Sequence, residues 1–129
     1  MPRSYNVRIT AVITGAPTKW LDNLLSRHEL MGVDRQRQGI ERRISDDGLL
    51  AVEMCRILTL ELDVSLRQAV AITNSCLRDG LADELCYTMP SGVSLHFPVA
   101  ATRARLRDRT REAVEMVAIA PRGRPRLAP

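Results

Sequence analysis

The segment from Ser45 to Leu62 constrains the fold more than any other. Ser45-Asp46-Asp47 is a strong helix start. The serine oxygen can accept from the free N–H groups of a first turn, and two carboxylates lie at the positive end of the helix dipole. The helix that follows, about Asp46–Leu62, carries Leu49, Leu50, Val52, Met54, Ile57, Leu58, Leu60 and Leu62. These residues lie around most of its circumference, so it has little surface to give to water and is expected at the centre of the fold. Its methionine and leucines are packing material, not the lining of a cofactor box. A chain of 129 residues, 45% of them hydrophobic, can bury one such core, as one domain or one domain with an extension.

The elements before it are shorter. Ser4–Arg8 reads as an extended lead-in, and Thr10 as the cap of a brief helix over Ala11–Thr14. Gly15 stops that helix, and Pro17 suits the first turn of the next, where its missing N–H is no loss. The spacing predicts this second helix over Thr18–His28, with Leu21, Leu24 and Leu25 on one face. Lys19, Asp22, Asn23, Ser26 and Arg27 fall mostly outside that stripe. Helix, glycine turn and helix with a polar second member make the outline of a helix-turn-helix. From Gly32 to Ile44 two glycines bracket a basic, glutamine-bearing stretch that ends in alternation. It fits a short hairpin with a basic tip, which beside a helix-turn-helix would be a wing; it also fits a plain solvent loop.

Asp63-Val64-Ser65 ends the central helix. Ser65 caps a further one over Leu66–Arg78, whose stripe is Leu66, Ala69, Val70, Thr73 and Leu77, and Gly80 closes it. Leu85–Met89 and Val93–Phe97 alternate apolar and polar residues around Pro90-Ser91-Gly92, a hairpin signal. A last helix is expected over Ala100–Ala118. Its seam of Leu106, Thr110, Ala113 and Val117 is flanked by five arginines from Arg103 to Arg111, and can pair with a second copy or dock on the domain. From Ala120 to Pro129 there is no apolar period and there are three prolines, so this tail is expected to be disordered when free. The fold class is therefore mainly α with short β-hairpins: a winged helix-turn-helix over residues 1–80, a hairpin and C-terminal helix over 81–119 as a candidate dimerisation element, and a basic tail over 120–129.

Charge is laid out unevenly. Nineteen basic and fifteen acidic residues give a net charge of +4, and every basic residue except Lys19 is arginine. Residues 1–43 carry a balance of +4, residues 44–100 of −5, and residues 101–129 of +5. Two basic ends around an acidic middle are what a chain meeting a polyanion would carry, and arginine forks onto phosphates and guanine edges. Genomic base composition also inflates arginine. Aromatics are 3%, too few for a binder that stacks single-stranded bases. No apolar run approaches a membrane span, and the first eleven residues lack the apolar core of a signal peptide. Cys55, Cys76 and Cys86 are too few and too scattered for a disulfide framework, which points to a reducing cytoplasm.

No catalytic constellation is evident, so no enzyme activity is expected. His28 and His96, the two histidines, fall at a helix end and in a strand, with no partner placed beside either. The three cysteines lack metal-ligand spacing and lie in apolar stretches, which favours buried structural thiols and leaves open a metal or redox sensor between helices. Neither a cofactor nor a metal is expected.

The order of elements from about Val7 to Leu77 resembles the DNA-binding domain of the MerR family, the mercury-resistance-regulator type of winged helix-turn-helix. The resemblance rests on Ile13-Thr14-Gly15-Ala16-Pro17, on Gly39-Ile40-Glu41-Arg42-Arg43-Ile44-Ser45 with Leu49-Leu50, and on Leu60-Glu61-Leu62-Asp63-Val64-Ser65-Leu66. Asp63 stands where the family usually has glycine, and Leu21-Asp22-Asn23-Leu24 replaces its arginine-tyrosine-tyrosine stretch. The resemblance implies that Thr18, Lys19 and Asn23 lie on a recognition helix and that Arg42 or Arg43 is the wing arginine that grips backbone phosphate. On this reading Lys19, Asn23 and Arg27 are expected to meet bases or phosphate, and Arg35, Arg37, Arg42 and Arg43 to hold backbone from the wing. Pro121-Arg122-Gly123-Arg124-Pro125-Arg126 resembles an AT-hook, whose glycine lets the chain approach the minor-groove floor while Arg122, Arg124 and Arg126 extend along it; a merely basic tail also fits. Together these imply a sequence-specific double-stranded-DNA-binding protein, a homodimeric transcriptional regulator associated with the cytoplasmic nucleoid. The other reading is a protein-interaction module, such as an antitoxin or adaptor, whose hairpin and last helix bind a partner protein.

Overall fold

A computed structural model describes residues 4–34, 42–78 and 83–122. The chain is mainly helical, with two small antiparallel sheets. In order it forms β1 (Ser4–Tyr5), α1 (Val7–Thr14), α2 (Thr18–Arg27), β2 (Ile44–Ser45) and α3 (Asp46–Arg56), which runs on into a π-helical turn over Ile57–Glu61. Then come α4 (Leu66–Arg78), β3 (Leu85–Thr88), β4 (Ser94–Phe97) and α5 (Val99–Arg122).

The central position expected for α3 holds. Every residue from Gly48 to Cys55 is buried, and α1, α4 and α5 pack against it. Ser45 caps it as its sequence suggests, its Oγ accepting from Gly48 N at 3.1 Å. The far end differs. Past Arg56 the helix widens to a π turn, which changes the angular step between side chains and rotates later residues off the core-facing stripe. Leu60 and Leu62, expected within the core helix, are therefore 52% and 53% exposed. The turn ends at Asp63, whose φ of +58° is left-handed.

α1 starts earlier than its sequence suggests. Asn6 caps it, its side-chain oxygen accepting from Ile9 N at 2.8 Å. Thr10, expected as the cap, lies inside the helix, buried, with its hydroxyl donating to Asn6 O at 2.8 Å. Asparagine is the better cap, and the helix gains a turn by starting there. Of the expected lead-in, Ser4 and Tyr5 form a strand and Asn6 is extended, while Val7 and Arg8 already belong to α1. Gly15 closes α1 at φ +74°, its N–H donating to Ala11 O. α2 then buries Leu21, Leu24 and Leu25 as expected and ends at Arg27, one residue early, with His28 extended.

The stretch after α2 begins and ends as paired backbone. Val33 bridges Ile44, Asp34 N donates to Arg43 O, and Ser45 N donates to Gly32 O. On its other side β2 pairs with β1, Tyr5 opposite Ile44. Residues 35–41, the expected tip, lie outside the described residues. The base of this structure is welded to α3. Gly32 has φ +83°, and a side chain there would run into the backbone of Asp47 and Gly48. Ser45 Oγ, which accepts from Gly48 N, also donates to Gly32 O at 3.0 Å.

α4 spans the expected residues, with Ser65 Oγ accepting from Gln68 N at 3.2 Å. Gly80, its expected terminator, lies outside the described residues. β3 and β4 pair in register, Leu85 opposite Phe97 and Thr88 opposite Ser94, around a turn closed by Gly92 at φ +96°. α5 lies on α1 and α3, and its seam residues Leu106, Thr110 and Ala113 are buried within the chain. Of the two uses open to that seam, its described part takes the docking one. α5 runs through Arg122. Residues 123–129 lie outside the described residues.

Candidate functional site

α2 presents one polar side to solvent. Lys19, Asn23 and Arg27 follow at intervals of four, a spacing that keeps them within a quarter-turn, and all three are exposed together with Thr18 at the helix start. Leu21, Leu24 and Leu25 take the other side and hold the helix against the core. Among the described residues Lys19 and Arg27 have no ion-pair partner. Asn23 is exposed, and among the described residues the one hydrogen bond it makes that involves a side chain is Ser26 Oγ donating to its backbone oxygen at 3.2 Å.

The two arginines at the base of the expected wing differ. Arg43 is held: its Nε and Nη2 donate to Ser4 Oγ at 3.0 and 2.9 Å, and Nη2 also donates to Ser4 O at 2.9 Å. It ties β1 to β2. Arg42 is half-buried and makes no ion pair among the described residues. Arg35, Arg37, Gly123, Arg124 and Arg126 lie outside the described residues, and Arg122 ends α5. The structure thus gathers Thr18, Lys19, Asn23 and Arg27 on one helix and sets Arg42 at a hairpin base. It neither brings the remaining expected residues to them nor separates them.

Five charged residues outside the expected site, Asp47, Glu53, Arg56, Arg103 and Arg105, pair with one another. Glu53 is fully buried in α3, where Arg56 Nε and Nη2 donate to its two oxygens at 2.9 and 3.0 Å. Arg105 of α5 adds a third bond, Nη2 to Oε2 at 3.1 Å. Burial pushes the Glu53 carboxyl up; the hydrogen bonds and charges of Arg56 and Arg105 outweigh it and hold the group below the usual carboxylate range. Arg103 reaches Asp47 at 2.7 Å. Part of the acidic middle and part of the basic C-terminal stretch are therefore partners of each other. The sign alternation along the chain is in that part an internal pairing and not a surface field. The available signal was one acidic residue inside a helix that is apolar on every side, with arginine three residues on.

The three cysteines divide. Cys55 and Cys76 are buried as expected. Burial pushes the Cys55 thiol up to about 11, against a contact to Thr73 Oγ1 at 3.5 Å. Cys86 is exposed, contrary to expectation: alternation along β3 turns Leu85 and Tyr87 inward and leaves Cys86 facing out. It faces His96, Sγ to Nε2 3.9 Å. An apolar cleft of about 70 Å³ opens between the hairpin and α3 and α4, lined by Met54, Leu58, Ile72, Leu85, His96 and Phe97 among others.

In comparison with known proteins, the chain matches no family model, no curated sequence and no solved structure.

Proposed function

We infer that this protein binds double-stranded DNA through α2 laid in the major groove, with the 32–45 hairpin serving as a wing beside it and α1–α2 as a helix-turn-helix of the MerR type. The observation that carries this reading is the exposed side of α2: two cations without ion-pair partners among the described residues, and an exposed asparagine, on a helix whose opposite side is fixed in the core. A rigid helix with such a side supplies both functions a groove reader needs. Lys19 and Arg27 meet phosphate, and Asn23 can pair in bidentate fashion with an adenine edge. Arg42 supplies a further phosphate contact from the wing. The role of transcriptional regulator, the assembly as a homodimer and the minor-groove hook in the tail belong to the same reading. The homodimer needs an interface other than Leu106, Thr110 and Ala113, which the chain spends on its own core.

The test is a polarisation titration with duplexes selected from a random library, repeated over a range of salt. Each phosphate neutralised contributes a slope of about −0.9 in log affinity against log salt, so Lys19→Ala, Arg27→Ala and Arg42→Ala should each flatten it by about one. Asn23→Ala should cost about 1–3 kcal/mol on the selected duplex and little on random DNA. Binding that is absent or indifferent to salt overturns the reading.

A further inference from the structure

We propose that Cys86 is a reactive thiol served by His96, and that the pair is a site of reversible mixed-disulfide formation with small disulfides such as oxidised glutathione. The proposal does not depend on DNA binding.

The hairpin builds the pair. β3 and β4 set Cys86 directly opposite His96, and directly opposed residues on one face of an antiparallel ladder stand close enough for their side chains to meet. Leu85, Tyr87, Leu95 and Phe97 turn toward the core, so both members of the pair face out, and both are exposed. The neighbouring rung is also polar and engaged, Thr88 Oγ1 and Ser94 Oγ lying 3.1 Å apart. The strands thus hold a thiol and an imidazole 3.9 Å apart at a surface that a small solute can reach. Asp83 and Glu84, just before β3, are the nearest charged residues along the chain.

Two other uses fit less well. A closed zinc site takes four ligands, and among the described residues no group of three metal-ligating side chains gathers anywhere. A purely structural thiol is buried, as Cys55 and Cys76 are, and Cys86 is not. What remains is the chemistry of a thiol beside a base.

The step balances without further reagents. The Cys86 proton passes to His96 Nε2, and the thiolate sulfur attacks one sulfur of the small disulfide. That S–S bond breaks as the Cys86 Sγ–S bond forms, and the departing thiolate takes the proton back from His96. Cys86 is oxidised to a mixed disulfide, half of the small disulfide is reduced to free thiol, and a second thiol reverses the exchange.

The full-length reduced protein is treated with oxidised glutathione, and separately with iodoacetamide, from pH 6 to 9, and each product is mapped by mass spectrometry. One glutathione per chain, on Cys86, is the expected product, and Cys86→Ser should take up none while keeping its far-ultraviolet circular dichroism. His96→Gln should react several-fold more slowly near neutrality, whereas Glu84→Gln should react at the native rate. Equal rates in the native and His96→Gln proteins across that pH range overturn the proposal, as does labelling that favours Cys55 or Cys76. A slower His96→Gln protein whose circular dichroism is native supports it, because a loss of fold would expose the buried thiols and speed labelling instead.

Discussion

Arg105 on α5 donates a hydrogen bond to Glu53 in the middle of α3, 52 residues away in sequence, and so pins the last helix to the central one. Glu53 is fully buried and accepts three guanidinium hydrogen bonds, one from Arg105 and two from Arg56. The members of this triad are unequal. Arg105 is 42% exposed, so its charge is screened and its loss leaves Arg56 still paired with the carboxylate. Arg105→Ala should cost about 1 kcal/mol. Glu53→Ala removes the buried acceptor of all three bonds, leaves Arg56 with only the exposed Glu61 at 3.5 Å, and opens a void, and should cost about 3 kcal/mol. Urea denaturation of the two variants measures the difference, and equal losses would contradict the assignment of Glu53 as the shared centre.

The same carboxylate makes stability depend on pH with a definite sign. Its folded pKa lies below the ordinary 4.5, so its contribution is fully present above that value and is lost as pH falls through the lowered one. The native protein should lose melting temperature on acidification below about pH 4.5 more steeply than Glu53→Gln, which has no proton to take up at that site. Melting curves from pH 7 to pH 3 test this, and parallel curves for the two proteins would count against it.

Gly15 and Gly32 share a left-handed backbone and differ in surroundings. A side chain at Gly15 would meet open space, whereas one at Gly32 would enter the backbone of Gly48 at the start of α3. Gly15→Ala should therefore cost only the left-handed conformation, about 1–2 kcal/mol. Gly32→Ala must also part the hairpin base from α3, and should cost about 3 kcal/mol or more. Asp63 presents the reverse case, a residue with a side chain at φ +58°. Asp63→Gly should be neutral or stabilising by a few tenths of a kcal/mol, since aspartate tolerates that region better than most residues. Chemical denaturation midpoints rank the three.

Which parts are legible in the sequence follows from how far apart their causes lie. Ser45, Ser65, Gly15 and Gly92 act on backbone groups within a few residues, and each marks its helix end or turn correctly. The buried stripe of α2 is equally local, since Leu21, Leu24 and Leu25 share one turn. Asn6 was available as a cap by the same rule and loses out only when Thr10 is read as polar punctuation instead of a buried residue bonded back into the helix. The π turn after Arg56 and the pairing of Glu53 with Arg105 have no local signature, because packing by distant elements decides both. Cys86 lies between these cases. Its partner His96 follows from the hairpin register, and its exposure follows from the alternation of Leu85 and Tyr87; apolar neighbours in sequence pointed the wrong way.

Arg42 and Arg43 adjoin in sequence, and either could serve as the phosphate-gripping arginine of a wing; their surroundings assign them different work. Arg43 spends Nε and Nη2 on Ser4, and so fastens β1 to β2 at the edge of the core where Tyr5 and Ile44 are buried. Arg42 has no ion-pair partner among the described residues and directly precedes the paired backbone of Arg43–Ser45. Arg43→Ala should therefore lower stability by about 1 kcal/mol through loss of the three bonds to Ser4, with a small effect on the salt dependence of DNA binding. Arg42→Ala should leave the melting temperature within error and flatten that salt dependence by about one. If Arg43→Ala alone flattens the salt slope while the melting temperature holds, the bonds to Ser4 give way to phosphate on binding, and Arg43 is the gripping residue in place of Arg42.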